Sequence, residues 1–402
     1  MFVALALIAF RLFAAIPIPG IDLVKLHQLF ANNQFLGLLN IFSGGGLSNL
    51  SIVMLGVGPY ITSSIIMQLL TMIFPKLKQL YHEEGEAGRK RFSQYSRLLT
   101  VPLALIQAFG FMILLQRQQV LGTLTSFDMA TNIIIITGGS VLVTWLGELM
   151  TEFGIGNGVS MLIFAGIVAR IPAGIKQLFI SFDSSQVPLY LIFLVGAIAV
   201  VYGVVVVTEA ERPIPVTYAK RVRGNKVYGG VSTYLPLRVN QAGVIPIIFA
   251  LSILLFPQMV FSFFANSSAA LLKETASFLL SVFSNGWFYS SFYFVLVFVF
   301  TYFYTAVTFD PHAIAENLQK NGAFIPGVRP GEATTEHLSR TVTRITLVGA
   351  IFLGVIAVLP LVMRAITGNT ALAIGGTALL IVVSVVIDLF KKLEAQVSMR
   401  EY

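Results

Sequence analysis

The sequence predicts an all-α polytopic membrane protein of ten transmembrane helices, and three observations lead there. Mean hydropathy is +0.85, with 56% hydrophobic and 11% charged residues, a composition that uses lipid as part of its solvent. Ten apolar stretches recur close to the length of about 20 residues that the hydrocarbon layer requires. The 26 Lys and Arg are divided unevenly: 19 fall on one of the two implied sides, six within 75–97, six within 209–241, four from Lys320 to Arg344 and three after the tenth stretch. Cationic side chains near span ends resist crossing a bilayer, so that side reads as cytoplasmic, and an even number of spans places both termini there.

The first stretch, Met1–Ile16, lacks the basic start of a signal peptide and is interrupted by Arg11, so it reads as a shortened first span, an element longer in related chains. The others are 52–74, 98–116, 130–150, 157–178, 188–208, 242–264, 288–309, 342–364 and 371–390. The segments 75–97, 209–241 and 310–341 are long, charged and cytoplasmic on this reading; the opposite ones are mostly Ser, Gly, Asn and aromatic. A polar centre at 179–187 divides the chain into 1–187 and 188–402, five spans each. Five is odd, so the second half runs opposite to the first, the parity that an inverted repeat requires.

Before span two stand Ser43, Gly44, Gly45, Gly46, Leu47, Ser48 and Asn49, and within it Gly56-Val57-Gly58-Pro59. Three consecutive glycines and a proline do not sustain one continuous helix. Broken backbone at membrane depth survives only inside protein or beside water. Two readings follow: a short half-inserted piece over about 42–50 hinged to a span from about Ile52, or a kinked helix after a glycine-rich loop. Spans seven and ten carry Gly243, Pro246 and Gly375-Gly376, where small residues also permit close helix packing.

The spans hold little chemistry. Ion-coupled carriers need charge near the midplane, where an ionised side chain costs about 2.5–3.5 kcal/mol. Glu148, Asp388, Arg344 and Arg364 sit at span ends, Arg170 is close enough to one to snorkel, and only Arg11 is interior, where burial against neighbouring helices accounts for it. No GxSxG, paired Asp or His–Ser arrangement lies in a span. The four histidines are far apart without HxxH or HExxH spacing, so no metal is expected. No cysteine means no disulfide or thiolate chemistry. The net charge of +8 follows mostly from topology, with attraction to anionic lipids as a further effect. No enzyme and no cofactor is expected.

Three segments are more specific than hydropathy: Gly154-Ile155-Gly156-Asn157-Gly158-Val159-Ser160 opening span five, Gln241-Ala242-Gly243-Val244-Ile245-Pro246 opening span seven, and Phe324-Ile325-Pro326-Gly327-Val328-Arg329-Pro330-Gly331 before span nine. With Gly58-Pro59-Tyr60-Ile61 and Ile374-Gly375-Gly376-Thr377, in order from about residue 10 to 398, they resemble the SecY family of bacterial protein-conducting channel subunits. The basic N-terminal extension usual in that family is absent.

The resemblance implies two inverted five-helix halves closing around a central hourglass pore. Unfolded polypeptides cross it, and apolar segments leave it sideways into lipid. It implies a waist of branched apolar side chains: Val57 and Ile61 from span two, Val159 and Ile163 from span five, Ile248 from span seven and Ile381 from span ten. Both within-helix pairs are four apart and share a face. Branched side chains are stiff, and an apolar constriction dewets, which blocks ions. Residues 43–49 would be a re-entrant plug on the outer side, whose glycines suit an element held by few side chains. The sideways exit would open between spans two and three on one half and seven and eight on the other. Arg329, in a Pro-Gly-flanked turn, and Lys220, Arg221, Arg223 and Lys226 would dock the ribosome and the motor ATPase SecA, although the 220–226 cluster is also explained as a bare topology determinant. Further implied partners are SecE, SecG, signal sequences, nascent chains and membrane lipids, in the bacterial inner membrane. An accessory channel for a restricted client set is the alternative within the family. A ten-span solute carrier is the alternative outside it, and it requires midplane polar ligands.

Overall fold

The computed structural model describes residues 2–401 apart from 20–39, 41–42, 83, 118–119, 122–124, 170, 173–175, 177–186, 219–220, 224–225, 229–231, 265–269 and 368–375. Phe42, Lys220, most of the polar centre at 179–187 and the first residues of the tenth stretch therefore lie outside the described residues.

Each of the ten apolar stretches holds a helix. They are α1 (Phe2–Ala15), α2 (Gly58–Ile73), α4 (Gly85–Arg117), α5 (Ser126–Phe153), α6 (Gly158–Val168), α7 (Val187–Glu209), α8 (Ile245–Phe264), α10 (Gly286–Thr308), α12 (Glu332–Thr367) and α13 (Gly376–Glu401). Among the described residues three more helices join them: α3 (Pro75–His82), α9 (Ala270–Ser284) and α11 (Pro311–Lys320). Among the described residues five helices are long and apolar enough to cross a membrane, six if α2 and α3, bent by 116° at Phe74, count together; α1 and α6 are apolar but shorter.

Helix ends depart from the predicted spans for physical reasons. Span two was expected from Ile52, yet α2 begins at Gly58. Residues 52–57 form successive tight turns (Met54 N–H to Ser51 O at 2.9 Å, Gly56 N–H to Val53 O at 2.8 Å), with Gly56 left-handed at φ 53° and Pro59 in the first turn of the helix. In the other direction α4 and α12 continue well past the apolar residues into charged sequence, since Glu, Lys and Arg are good helix formers and nothing polar need stop at the hydrocarbon edge. Thr125 and Asp128 cap α5 reciprocally, and the Asn157 side chain accepts from Ser160 N–H at the start of α6.

The segment between α7 and α8 is not plain loop. Strands β1 (Glu211–Tyr218) and β4 (Ser232–Arg238) pair antiparallel from Glu211↔Arg238 to Thr217↔Ser232, and β5 (Ala323–Phe324) adds to the other edge of β1, giving the order β4-β1-β5. Between them β2 (Arg221–Arg223) and β3 (Lys226–Tyr228) form a ribbon. The sequence reading missed this sheet because prolines at 213, 215 and 236 argue against strands; Pro213 pairs with Pro236, where neither needs an N–H. Ile214, Val216, Leu237 and Ala323 bury one face of the sheet against Leu338, Val342 and Ile345 of α12.

Helices of the two halves meet at few places: α6 packs on α13, and α8 touches both α2 and α4. Within the halves α10 lies along α12, α2 along α4 and α5 along α6.

Candidate functional site: an apolar waist and its cover

Five of the six residues expected at a waist come together. Val57, Ile163 and Ile381, each at most 3% exposed, share one buried apolar cluster with Val53, Phe10, Ile167 and Ala378, and Ile61 and Val159 pack against it. Ile248 belongs to the neighbouring cluster with Ile247, Leu251, Tyr293 and Leu380; Ile61 and Val244 pack against both clusters and join them. Elements from both halves thus contribute branched apolar side chains to one place.

The glycine-rich segment covers this cluster from one side. From Ser43 to Asn49 its helical portion is a single turn, Leu47–Asn49. Gly44 is left-handed at φ 63° and lies so close to Gly166 of α6 that a side chain on Gly166 would meet its Cα. Gly166 sits one turn beyond Ile163, on the same face of α6. Phe10 of α1 closes over Gly44 from the other side. Here glycine is needed at both members of the contact.

The segment is better anchored than its glycines suggested. Leu47 and Leu50 are buried among Met54, Phe111, Met112 and Leu115. Ser43 Oγ accepts from Leu47 N–H at 3.0 Å, Asn40 Oδ1 accepts from Ser48 N–H at 3.0 Å, and Ser48 Oγ donates to Gly45 O at 2.7 Å. Its end is stitched to the end of α1: Ile18 N–H donates to Leu50 O at 2.9 Å and Ile52 N–H to Ile16 O at 3.0 Å. The expectation of an element held by few side chains is corrected by the two buried leucines.

A second correction concerns Arg11. It is exposed, not buried, and its Nη1 donates to the Gly44 carbonyl at 3.1 Å, beside a small pocket lined by Ala14, Ala15, Gly45, Ser48 and Asn49. The sequence held the signal, an ionisable residue inside an apolar run, but not the partner. Two further contacts were not foreseen. Ser140 Oγ of α5 donates to Gly56 O at 2.8 Å, fixing the turns that lead into Val57. Glu148, expected at a span end, is paired with Arg97 of α4 at 2.7 Å.

The basic segments are brought together through the sheet. β5 runs directly into the turn 325–331, closed by Val328 N–H to Ile325 O at 3.0 Å, with Gly327 (φ 83°) and Gly331 (φ 98°) left-handed. Arg329 stands exposed on that turn, and Thr334 Oγ1 donates to its carbonyl at 2.9 Å. The backbone register places Arg223 opposite Lys226 and Arg221 opposite Tyr228 in the β2–β3 ribbon. On α11 the Lys320 ammonium, hydrogen-bonded to Glu316 at 2.8 Å, holds that exposed carboxyl below its usual range.

Against known proteins, the SecY family model matches residues 51–390. A protein translocase subunit SecY of Pseudomonas aeruginosa is 43% identical, covering 100% of this chain and 91% of its own. Among solved structures, one described as a protein-conducting channel superposes with TM-score 0.66 at 20% identity over 98% of this chain and 91% of that one. Sec61 in a canine ribosome–channel complex from the endoplasmic reticulum superposes with TM-score 0.63 at 18% identity, over the same shares.

Proposed function

This chain belongs to the SecY family, and from that premise we propose how its own residues seal, open and dock the channel. The chain is a membrane protein, the pore-forming subunit of a protein translocase, a channel and not an enzyme. Family membership also sets aside the solute carrier.

The seal is the ring Val57, Ile61, Val159, Ile163, Ile248 and Ile381. The observation that carries this is the shared burial of Val57, Ile163 and Ile381, which come from the turn leading into α2, from α6 and from α13, and so from both halves. An uncharged constriction excludes water and ions without a titratable gate, and it yields to an apolar or polar chain alike because it makes no specific bond. Residues 43–49 are the plug, resting on the outer side of Ile163 at Gly166 and released when a chain enters. Opening separates the halves 1–187 and 188–402, and the sideways exit lies where α8 meets α2 and α4, the closed seam.

The sheet β4-β1-β5 and the turn carrying Arg329 form one packed platform on α12, which presents a guanidinium suited to carboxylate or phosphate. Its partners are the ribosome and SecA, with the ribbon bearing Arg221, Arg223 and Lys226, and in sequence Lys220, as a second basic contact. SecE and SecG complete the complex in the bacterial inner membrane, with both termini in the cytoplasm. Energy comes from the ribosome, SecA or the proton-motive force, since the chain has no chemistry of its own to supply it.

A photocrosslinker at Ile248 in a complex stalled with a secretory nascent chain tests the ring. Crosslinks to the nascent chain are expected there and not at lipid-facing Ile198; equal yields at both positions would remove Ile248 from the pore.

A further inference from the structure

α9 is one of three helices among the described residues that no apolar stretch announced, and it has the wrong surface for a loop. It follows α8 at the end remote from the β-sheet and passes through Asn285 alone into α10. Ala276 is buried, and Phe283 sits in an aromatic clasp, with ring centroids 6.3 Å from Phe261 of α8 and 5.8 and 6.0 Å from Phe288 and Phe292 of α10. The opposite side is different: Phe278 is 66% exposed among Thr275, Ser277 and Ser281, and Trp287, the first turn of α10, is 76% exposed. A large aromatic ring left bare beside hydroxyls, with the exposed Lys273 and Glu274 earlier on the same helix, is the pattern of a membrane–water interface, where aromatic rings bridge acyl chains and headgroups. The exposed face of α10 continues it into lipid depth, with Val295 and Val299 about half exposed.

We propose that α9 is an interfacial anchor, lying along the bilayer surface on the side remote from the sheet, with Phe278 and Trp287 seated at the acyl–headgroup boundary. The occupant is lipid because the bare aromatic face is continuous with the lipid-facing side of a spanning helix. Through the Phe283 clasp the anchor fixes the depth of the ends of α8 and α10, the two helices of the second half that border the proposed exit; the assignment rests on the membrane reading above.

The chain has two tryptophans, Trp145 and Trp287, which makes the test spectroscopic. The reconstituted complex carries Phe278→Trp with Trp145→Phe and Trp287→Phe, in bilayers whose lipids bear bromine either near the headgroup or near the chain end. Emission from position 278 is expected to be lost more to shallow than to deep bromines and to resist aqueous iodide. Quenching by iodide alone, or shielding from both quenchers by another protein, overturns the anchor. A Val299→Trp variant in the same background reports deep bromines whatever α9 does, so failure of the anchor is distinguishable from failure of the membrane reading.

Discussion

Arg11 Nη1 donates to the carbonyl oxygen of Gly44 at 3.1 Å, across 33 residues of sequence, and so ties the first helix to the element that covers the waist. The bond uses a carbonyl that the left-handed conformation of Gly44 turns away from regular structure. A guanidinium inside an apolar helix is costly unless it finds such an acceptor. The same atom pair therefore accounts for an otherwise misplaced charge and for part of what holds the proposed plug.

Arg11→Leu should loosen the plug. A hydrogen bond from an exposed charged donor contributes about 1 kcal/mol, roughly fivefold in the ratio of seated to displaced plug. The expected result is a severalfold rise in spontaneous openings in planar bilayers, with Arg11→Lys intermediate. Identical recordings for Arg11→Leu and the parent would remove the latch.

Gly166→Val acts on the same element by volume instead of bonding. The added side chain would occupy the place of Gly44 Cα, so the plug must shift outward or α6 must move. Overpacking of this kind costs about 1–3 kcal/mol. Openings should increase more than in Arg11→Leu, while the detergent-solubilised complex keeps its elution volume. A quiet channel in an intact complex would show that residue 44 does not rest on α6.

Much of this was legible beforehand, and unevenly. Ten helices were readable because spans announce themselves by apolar length; the spacing of four puts Val159 and Ile163 on one face of α6, while Val57 reaches the same cluster from the turn before α2. The sheet was not: Pro213, Pro215 and Pro236 carry the local signature of a loop, and the strands gain their stability from Leu338, Val342 and Ile345, a hundred residues away in sequence. Helix α9 escaped because its 15 residues are amphipathic and too short to register as a span. The glycine run said correctly that the backbone breaks, but not that Leu47 and Leu50 would pin it, because their pocket is built by α4 and α5.

Arg329→Glu should abolish docking without disturbing the fold. The side chain is exposed on a turn whose shape is set by Gly327, Gly331 and the Thr334 bond to the residue's carbonyl, none of which involves the guanidinium. Replacing a cation by an anion at a contact of opposite charge costs several kcal/mol. Motor-driven translocation into proteoliposomes is expected to fall by more than tenfold, with the amount of inserted protein unchanged. Parental rates would assign docking to other residues of the platform.

Replacing Ile61 and Ile163 together by Ser tests the seal most directly. Ile163 is 3% exposed within the shared cluster and Ile61 joins the two clusters, so the pair spans the place where the halves meet. Two hydroxyls there offer water hydrogen bonds in a constriction that otherwise has none, which removes the dewetting barrier on which an uncharged gate depends. The same change deletes buried methyl groups at about 2–5 kcal/mol for a fully buried isoleucine, so a loss of folding must be told apart from a leak. Ile61→Ala with Ile163→Ala supplies that control, since it opens comparable volume without polarity. The serine pair should conduct ions at rest with the plug present, and the alanine pair much less. Equal conductance in the two would mean that packing volume, and not the exclusion of water, keeps the channel shut.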